Sequence, residues 1–579
     1  MPFPSDRRTF LKTGAAVLGA LAVPPHLVGA LASRRGRAAA DVSIDVLTAE
    51  PIAPVTSAHY GHFIEHLGAV IYDGVWVGEK SSVPNVGGIR KSLVDDLRAL
   101  TPGIVRWPGG CFADSYRWTD GIGPKAKRPR RSNLWGNEME GSVTGPQRYE
   151  PNHFGTPEFL RFCRLVGAEP YLAVNGRGAS AQDFAEWVEY CNSPKGSTTL
   201  ADQRAADGSP APYNVKYWGL GNEPWGCGGT LTPEEYAEEY RRMSAFVPTY
   251  PGDKPSIKVG VEPRLVAAGP LIDDATAEAW TRRFIDSLKT AGRNGHDTTM
   301  PFGYSLHSYF WRHDAFTFTP NGWYTLLAQP RILGGMLERQ ASLLRPAGVP
   351  ITLVLDEWGP WYLGDIGQSQ PSHLLEQTPT LRDALVTAFM FDTFHAHADI
   401  LGVATVAQTI NCIHSLFLAD GAKYVRTPVY HAFALYQPHI GGTAVRTVAA
   451  AERIEIPKDP NARPTRVPDP TSVDGISTSA TVHAAAGGQP GRVVLTVTNP
   501  RLDSPVTANI ALHGVSIKSG TVTTLTHNEP HARNTFDNPD VVHTGGTTAL
   551  ALGSESSKGA FTMTLPAASV TRVVCTLGA

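Results

Sequence analysis

Val215-Lys216-Tyr217-Trp218-Gly219-Leu220-Gly221-Asn222-Glu223-Pro224-Trp225 is an apolar, aromatic run that stops on a glycine and meets a carboxylate two residues later. Ile351-Thr352-Leu353-Val354-Leu355 is a second apolar run and passes directly into Asp356-Glu357-Trp358-Gly359. Short β-branched and aromatic runs bounded by glycine and proline read as strands, so Glu223 and Glu357 both stand at strand ends. They are 357 − 223 = 134 residues apart, and only a tertiary fold brings them together. Two carboxylates flanking one cleft are the usual equipment for breaking a glycosidic bond, with differing environments keeping one protonated and the other ionised.

The same texture continues on both sides. Candidate strands fall at residues 55–63, 104–107, 170–174, 215–220, 257–261, 304–309, 351–355 and 402–407. Between them lie stretches of helical period, among them 88–100, 157–165, 181–191, 233–246, 276–289 and 381–397, several opening on Ser, Thr or Pro. Such alternation predicts a parallel sheet, and eight units predict a (β/α)8 barrel (a TIM barrel), whose chemistry sits on the loops after the strands. The residues found there fit that rule: Glu65, Arg106 and Asp114, Asn175, Asn222 and Glu223, Glu262, His307 and Tyr309, Glu357, and Gln408. An open doubly wound sheet places strand ends similarly and stays as the alternative.

From about residue 445 the chain turns to short alternating strands with Pro, Gly, Asn and Asp punctuation, which reads as an all-β C-terminal sandwich, jelly-roll-like. The expected organisation is a targeting segment at 1–40, an N-terminal strand joining the sandwich at 41–52, the catalytic barrel at 53–437 and the sandwich at 438–579. At 579 residues the chain exceeds what one core supports. Its 51 basic and 53 acidic residues leave a formal charge of −2, so no general electrostatic force draws it to nucleic acid or a membrane surface. Asp6-Arg7-Arg8, an apolar stretch at 15–32 and Ala38-Ala39-Ala40 read as a targeting segment, and Arg7-Arg8-Thr9-Phe10-Leu11-Lys12 resembles the twin-arginine export motif. The expectation is a soluble protein exported to the periplasm or the cell exterior. Pro24-Pro25 interrupts the apolar stretch and argues against a retained anchor.

Cys111, Cys163, Cys191, Cys227, Cys412 and Cys575 contain no Cys-x-x-Cys pair, so neither a disulfide scaffold nor a zinc ribbon is expected. Most should be reduced and buried, with one or two long-range disulfides left open. His62-Phe63-Ile64-Glu65-His66 matches the His-x-x-Glu-His zinc motif, which needs both histidines on one helical face. Gly61 and Gly68 argue for strand and loop instead, so no metal or cofactor is expected. The basic run 125–131 reads as a solvated loop that borders the cleft and touches acidic decorations on a polymer. Trp218 and Trp225 frame Glu223 in an apolar setting that suits a general acid, while donors such as Tyr309 hold Glu357 ionised as the nucleophile.

Gly61-His62-Phe63-Ile64-Glu65-His66, Arg106-Trp107-Pro108-Gly109-Gly110, Trp118-Thr119-Asp120-Gly121-Ile122-Gly123-Pro124, Gly221-Asn222-Glu223 and Asp356-Glu357-Trp358 together resemble the α-L-arabinofuranosidases of glycoside hydrolase family 51. The resemblance covers nearly everything after residue 40, including Thr498-Asn499-Pro500-Arg501. It implies that Glu223 is the acid/base and Glu357 the nucleophile. Asn222 would bind the 2-hydroxyl, Glu65 would accept from sugar hydroxyls, Tyr309 would sit by the nucleophile and Gln408 would line the far wall. Arg106, His307 and Cys111 complete the candidate substrate-binding set. Cys111 stands where some relatives carry Asn, and its S–H would be a weak substitute donor. The implied activity is retaining, exo-acting release of arabinofuranose from arabinan, arabinoxylan or arabino-oligosaccharides, with the two carboxyls about 5 Å apart. The family often forms hexamers. The alternatives are another retaining barrel glycosidase, such as an endo-glucanase or xylanase, or a carbohydrate-binding protein without catalysis.

Overall fold

The computed structural model describes residues 41–578 except 136–147, 246, 248–262, 272–275, 292–299, 349, 364–372 and 461–469. Eight parallel strands close into a barrel: Gly61–Phe63, Ile104–Trp107, Glu169–Val174, Tyr217–Leu220, Arg264–Leu271, Gly303–Arg312, Thr352–Tyr362 and Leu401–Val406. The eighth pairs with the first through Thr405 opposite Gly61 and Val406 opposite His62. Ile104, Tyr171, Val266, Val354 and Val403, from five of these strands, form a buried cluster of their own. A larger core ties the barrel to its surrounding helices.

The helices start where the sequence signals them. Ser180 opens Ala181–Asn192 with a capping box to Asp183, and Thr232 opens Pro233–Ser244 with one to Glu235. Each box satisfies backbone N–H groups that a helix start leaves without partners. The first strand is shorter than expected, because Ser57–Tyr60 forms a 3-10 turn ahead of it, and the sixth and seventh run on to Arg312 and Tyr362; one strand is displaced. The fifth is Arg264–Leu271, whereas the candidate at 257–261, and Glu262 after it, lie outside the described residues. Gly269-Pro270 reads locally as a loop, yet this segment pairs with the fourth strand and the sixth. A register shift between Ala268 and Leu271 takes up the proline, which has no N–H to give a ladder.

The seventh strand carries the irregularity that matters most. Leu306 faces Leu355 on it, but the next residue, His307, faces Glu357. Asp356 is therefore an extra residue, and such a bulge re-aims side chains. Adjacent residues on a regular strand point to opposite faces; here Asp356 and Glu357 both reach Arg106.

The C-terminal strands form one nine-stranded sheet. Residues from both ends, including Phe561 and Leu565 at one and Ile517 and Leu550 at the other, share a core with Val493, Leu495 and Val497. The sheet thus folds over into the two layers of a sandwich. Val42–Pro54 lies inside it, antiparallel to Thr443–Ala450 and parallel to Val506–His513. Helix Leu381–Ala396 meets strand Ser477–His483 through His395 and Ser479 (3.0 Å), and Asp392 accepts from Ser477 and, at 2.7 Å, from Tyr436. No helix among the described residues is long and apolar enough to cross a membrane.

Candidate active site

Every described strand end named from the sequence lies at one mouth of the barrel, and most of their side chains meet. Glu357 is gripped from two sides: Arg106 Nη1 donates to Oε1 (2.6 Å) and the Tyr309 hydroxyl donates to Oε2 (2.6 Å). Arg106 Nη2 also donates to Asn222 Oδ1 (2.7 Å), joining the second, fourth and seventh strands. His307 Nδ1 lies 2.8 Å from Glu223 Oε1 and 3.5 Å from Glu357 Oε2. Carboxylate oxygens of Glu223 and Glu357 lie within 4.8 Å of each other.

Asp356 organises this group from below. It takes the Ser305 hydroxyl (2.5 Å) and the Tyr171 hydroxyl (3.0 Å), and lies 3.4 Å from Arg106 Nε and 3.1 Å from His307 Nε2. Burial alone would raise its pKa; the charges of Arg106 and His307 instead hold it down at about 2. Burial would likewise lower His307, but Glu357 and Asp356, with the bond to Glu223, lift it to about 10. His307 is therefore a cation at neutral pH, donating to carboxylates on both sides. Burial also lifts the Tyr309 hydroxyl well above its ordinary value, and Glu357 adds to this.

Glu65 forms the opposite wall. Its Oε1 accepts from the Phe112 backbone N–H (3.0 Å) and Trp135 Nε1 (3.1 Å), and its Oε2 from Gln408 Nε2 (3.2 Å). Burial, then repulsion from Glu357, raise the Glu65 carboxyl to about 7. Gly109 and Gly110 let the backbone pass between the two walls. A Cβ on Gly110 would stand 2.5 Å from Glu357 Oε1, and one on Gly109 would stand 2.9 Å from Glu65 Oε1.

Two family models match, the α-L-arabinofuranosidase 1 domain over residues 96–261 and the α-L-arabinofuranosidase C-terminal domain over 356–569. An "Intracellular exo-alpha-L-arabinofuranosidase" of Bacteroides ovatus is 32% identical over 520 residues, 88% of this chain and 91% of the relative. The family 51 arabinofuranosidase of Xanthomonas axonopodis pv. citri superposes with a TM-score of 0.78 at 31% identity, covering 93% of this chain and all of that one. The chain belongs to the family 51 α-L-arabinofuranosidases. It is a glycoside hydrolase. A glucanase-xylanase, CelM2, shares the fold at 14% identity and a TM-score of 0.53.

The comparisons also correct the expected location of this arabinofuranosidase. The Bacteroides relative and one from Acetivibrio thermocellus are both named intracellular, which overturns the expectation of export. An arginine pair ahead of a short apolar stretch is a brief pattern on which to rest a location, and residues 1–40 lie outside the described ones.

Other expectations are revised by the arabinofuranosidase's own geometry. Cys111 has no S–H to offer, because it forms a disulfide with Cys227. The remaining four cysteines are free and buried. Glu223 is not boxed by tryptophan: Trp218 packs against Phe184 and Trp187, and Trp225 donates to the Gly269 carbonyl. Its close neighbours are His307 and the disulfide, with Cys227 Sγ 3.5 Å from Oε2. Trp107, Trp118 and Trp358 are core, while half-buried Trp361 stacks on Trp311 beside Tyr309. Asn175 braces its own loop, accepting from the backbone of Arg177 and Gly178.

The His-x-x-Glu-His motif divides. His62 stacks on Phe433, whereas His66 bonds Glu150 and accepts from Trp107. Among the described residues, two groups have metal-ligand spacing, Glu223 with His307 and Glu357, and Cys111 with Glu223 and Cys227. In the first the histidine is held protonated, and in the second the sulfurs are bonded to each other, so neither donor set suits a cation. In the basic loop Arg128 pairs with Glu158, Lys125 with Glu79 and Glu158, and Arg131 with Asp120. Those three charges are paired within the protein, and Arg130 lies over the Tyr149 ring at 5.0 Å. Sequence reasoning missed Trp135, Asp356 and Ser305 as site-builders; only Asp356, quoted beside Glu357, carried a visible signal.

Proposed function

We propose that this enzyme removes terminal α-L-arabinofuranosyl groups from arabinan, arabinoxylan or arabino-oligosaccharides with retention of configuration. Glu357 is the nucleophile, Glu223 the acid/base, and Glu65, Asn222, Arg106, His307, Tyr309 and Gln408 shape the sugar pocket. The observation that carries this reading is the approach of the two carboxylates, within 4.8 Å. Retaining glycosidases hold theirs about 5–5.5 Å apart, and inverting ones need about 6.5 Å or more to seat a water.

The two carboxylates are treated unequally. Glu357 receives one donor on each oxygen, which aims it for attack on the anomeric carbon. Glu223 has the more open side chain, 17% exposed against 8% for Glu357, and so exchanges protons with solvent. As Glu357 bonds to the sugar its charge is consumed. Glu223 simultaneously gives its proton to the leaving oxygen and becomes charged, and His307, within reach of both, now faces that new charge. Water then enters, its oxygen bonds to the anomeric carbon as Glu223 takes its proton and the sugar–Glu357 bond breaks, and the starting state returns. Asn222, fixed through Arg106, offers its amide to the 2-hydroxyl, where a bond that tightens in the transition state adds rate.

Product configuration, followed by NMR on an aryl arabinofuranoside, is expected to be retained at first appearance. Inverted product would overturn the mechanism, and activity that survives both Glu223→Ala and Glu357→Ala would overturn the assignment. On arabinan and arabinoxylan, arabinose alone should appear; released oligosaccharides would favour an endo-acting enzyme. The hexamer common in this family belongs to the same reading and is checked by light scattering.

A further inference from the structure

The loop that carries Glu223 is backbone-strained and tied down on one side. Glu223 itself has φ 40°, with Gly221 at 80° and Gly229 at 122° on either side, and a non-glycine residue in the left-handed region persists only where its surroundings insist on it. Gly226 N–H and Gly228 N–H both donate to the Glu223 carbonyl (2.8 and 3.0 Å). Arg106 holds the Asn222 side chain, His307 the Glu223 carboxylate and the Gly269 carbonyl the Trp225 indole; further ties run to one short turn, Cys111–Ser115. Cys111 is bonded covalently to Cys227, and Asp114 Oδ2 accepts from Asn222 N–H at 3.3 Å. The same turn gives the Phe112 N–H to Glu65. The disulfide also walls the carboxylate: Cys227 Sγ lies 3.5 Å and Cys111 Sγ 3.9 Å from Glu223 Oε2, opposite the oxygen that His307 holds.

We propose that the Cys111–Cys227 disulfide is a positioning element for the acid/base, so that proton delivery to the leaving group, rather than attack by Glu357, depends on its being closed. This rests on the assignment of Glu223 as acid/base. Neither donor to Glu357 is bonded to the disulfide: Tyr309 comes from the sixth strand, and Arg106, on the second strand ahead of Cys111, reaches Glu357 directly. The contact shared by the two sides is Asn222, which accepts from Arg106 and whose Nδ2 lies 3.6 Å from Cys227 Sγ. Cys227 is exposed at the surface, within reach of a soluble reductant. A dithiol opens the bond by exchange: the S–S bond breaks, Cys111 and Cys227 each gain a proton, and the dithiol is oxidised to its cyclic disulfide. The loop then loses its only covalent tie among the described residues to the second-strand turn.

The readout is leaving-group dependence. For kcat/KM, which reports the first chemical step, an activated leaving group such as dinitrophenolate departs without protonation, whereas an alkyl or sugar leaving group needs the acid. Full-length enzyme is compared oxidised, reduced by dithiothreitol and reoxidised, with thiol titration recording two added thiols and circular dichroism recording the fold. Reduction is expected to lower kcat/KM on an arabinobioside by roughly tenfold or more, within the range of general-acid contributions, to leave the dinitrophenyl substrate within about twofold, and to reverse on reoxidation. Cys111→Ala/Cys227→Ala should behave like the reduced enzyme and ignore dithiothreitol. Equal loss on both substrates, or none on either, overturns the proposal. Glu223→Ala run in parallel separates the two readings: it must itself show the leaving-group-dependent loss and rescue by azide. If it does not, the acid/base assignment fails whatever the disulfide does.

Discussion

Glu223 and Glu357 show what a sequence reveals of a site at the scale of single residues. Both were visible because a carboxylate directly after an apolar strand has few structural uses, and Arg106, Asn222, Tyr309, His307, Gln408 and Glu65 were visible for the same reason. Their partners were not. Trp135 reaches Glu65 from 70 residues away, and Ser305 and Tyr171 reach Asp356 from 51 and 185; such pairings exist only after folding. Cys111 was misread because a thiol and half a disulfide are the same letter. Tyr309 gives the cleanest residue-scale expectation. Its hydroxyl donates 2.6 Å to Glu357 Oε2, so Tyr309→Phe removes one of two donors from the proposed nucleophile while keeping the ring packed against Trp361. The loss in kcat should be roughly 100-fold, the low end of the scale of removing one preorganised donor, with little change in melting temperature. A kcat within twofold of wild type would show that Arg106 alone suffices.

At the scale of elements, a strand's existence was easier to read than its bounds. The second, third and fourth barrel strands stand within two residues of expectation, because their neighbours are punctuated by Gly and Pro. The fifth failed, since Gly269-Pro270 carries the local signature of a loop and only its two flanking strands impose extension. The bulge at Asp356 was invisible as well: a one-residue insertion leaves no mark on a period-two pattern, yet it turns two acids toward one arginine. Asp114 is the corresponding device between loops. It accepts Gly176 N–H at 2.7 Å and Asn222 N–H at 3.3 Å, fastening the third and fourth strand ends to the turn after the second. Asp114→Ala leaves two enclosed N–H groups without an acceptor, costing about 1–3 kcal/mol each, and Asp114→Asn restores one acceptor. The expected order of kcat/KM is wild type, then Asn, then Ala, with the Ala variant down by about tenfold or more; steady-state kinetics and thermal unfolding of the three proteins check it. An Ala variant as active as wild type would show that the loop holds its shape without Asp114.

Across the whole molecule, burial of acids sets a pH preference. Glu65 and Asp114 are both raised to about 7, mainly by burial, and Asp392 to about 6 between barrel and sandwich. A carboxyl raised on folding favours the protein most below its ordinary value, and that contribution is lost as pH climbs through the raised one. His307, raised to about 10, acts in the same sense: its contribution is complete below 6.5 and is lost on approaching 10. They are opposed in acid by His62, His414, His431 and His439, which burial lowers to about 3 or 4 and whose contribution, present above 6.5, is lost as pH falls, and by Asp356, whose contribution, present above 3.8, is lost as pH falls through about 2. Conformational stability should therefore fall away on both sides of a maximum near neutrality, and Glu65 is the place to test the alkaline side. Glu65→Gln keeps the shape and an acceptor for Phe112 and Trp135, and Gln408 Oε1, which has no partner among the described residues, can turn to receive the new amide. At pH 4.5 the wild-type side chain is already neutral and the two proteins should melt alike. By pH 8 the wild type holds a buried charge beside Glu357 that the variant lacks, so the variant should be the more stable by on the order of 1–3 kcal/mol, while losing activity with its charged acceptor for the sugar. Melting curves from pH 4.5 to 8.5 decide the matter: a gap that widens through about pH 7 in the variant's favour supports it, and a gap independent of pH would show that the strain between Glu65 and Glu357 is relieved some other way.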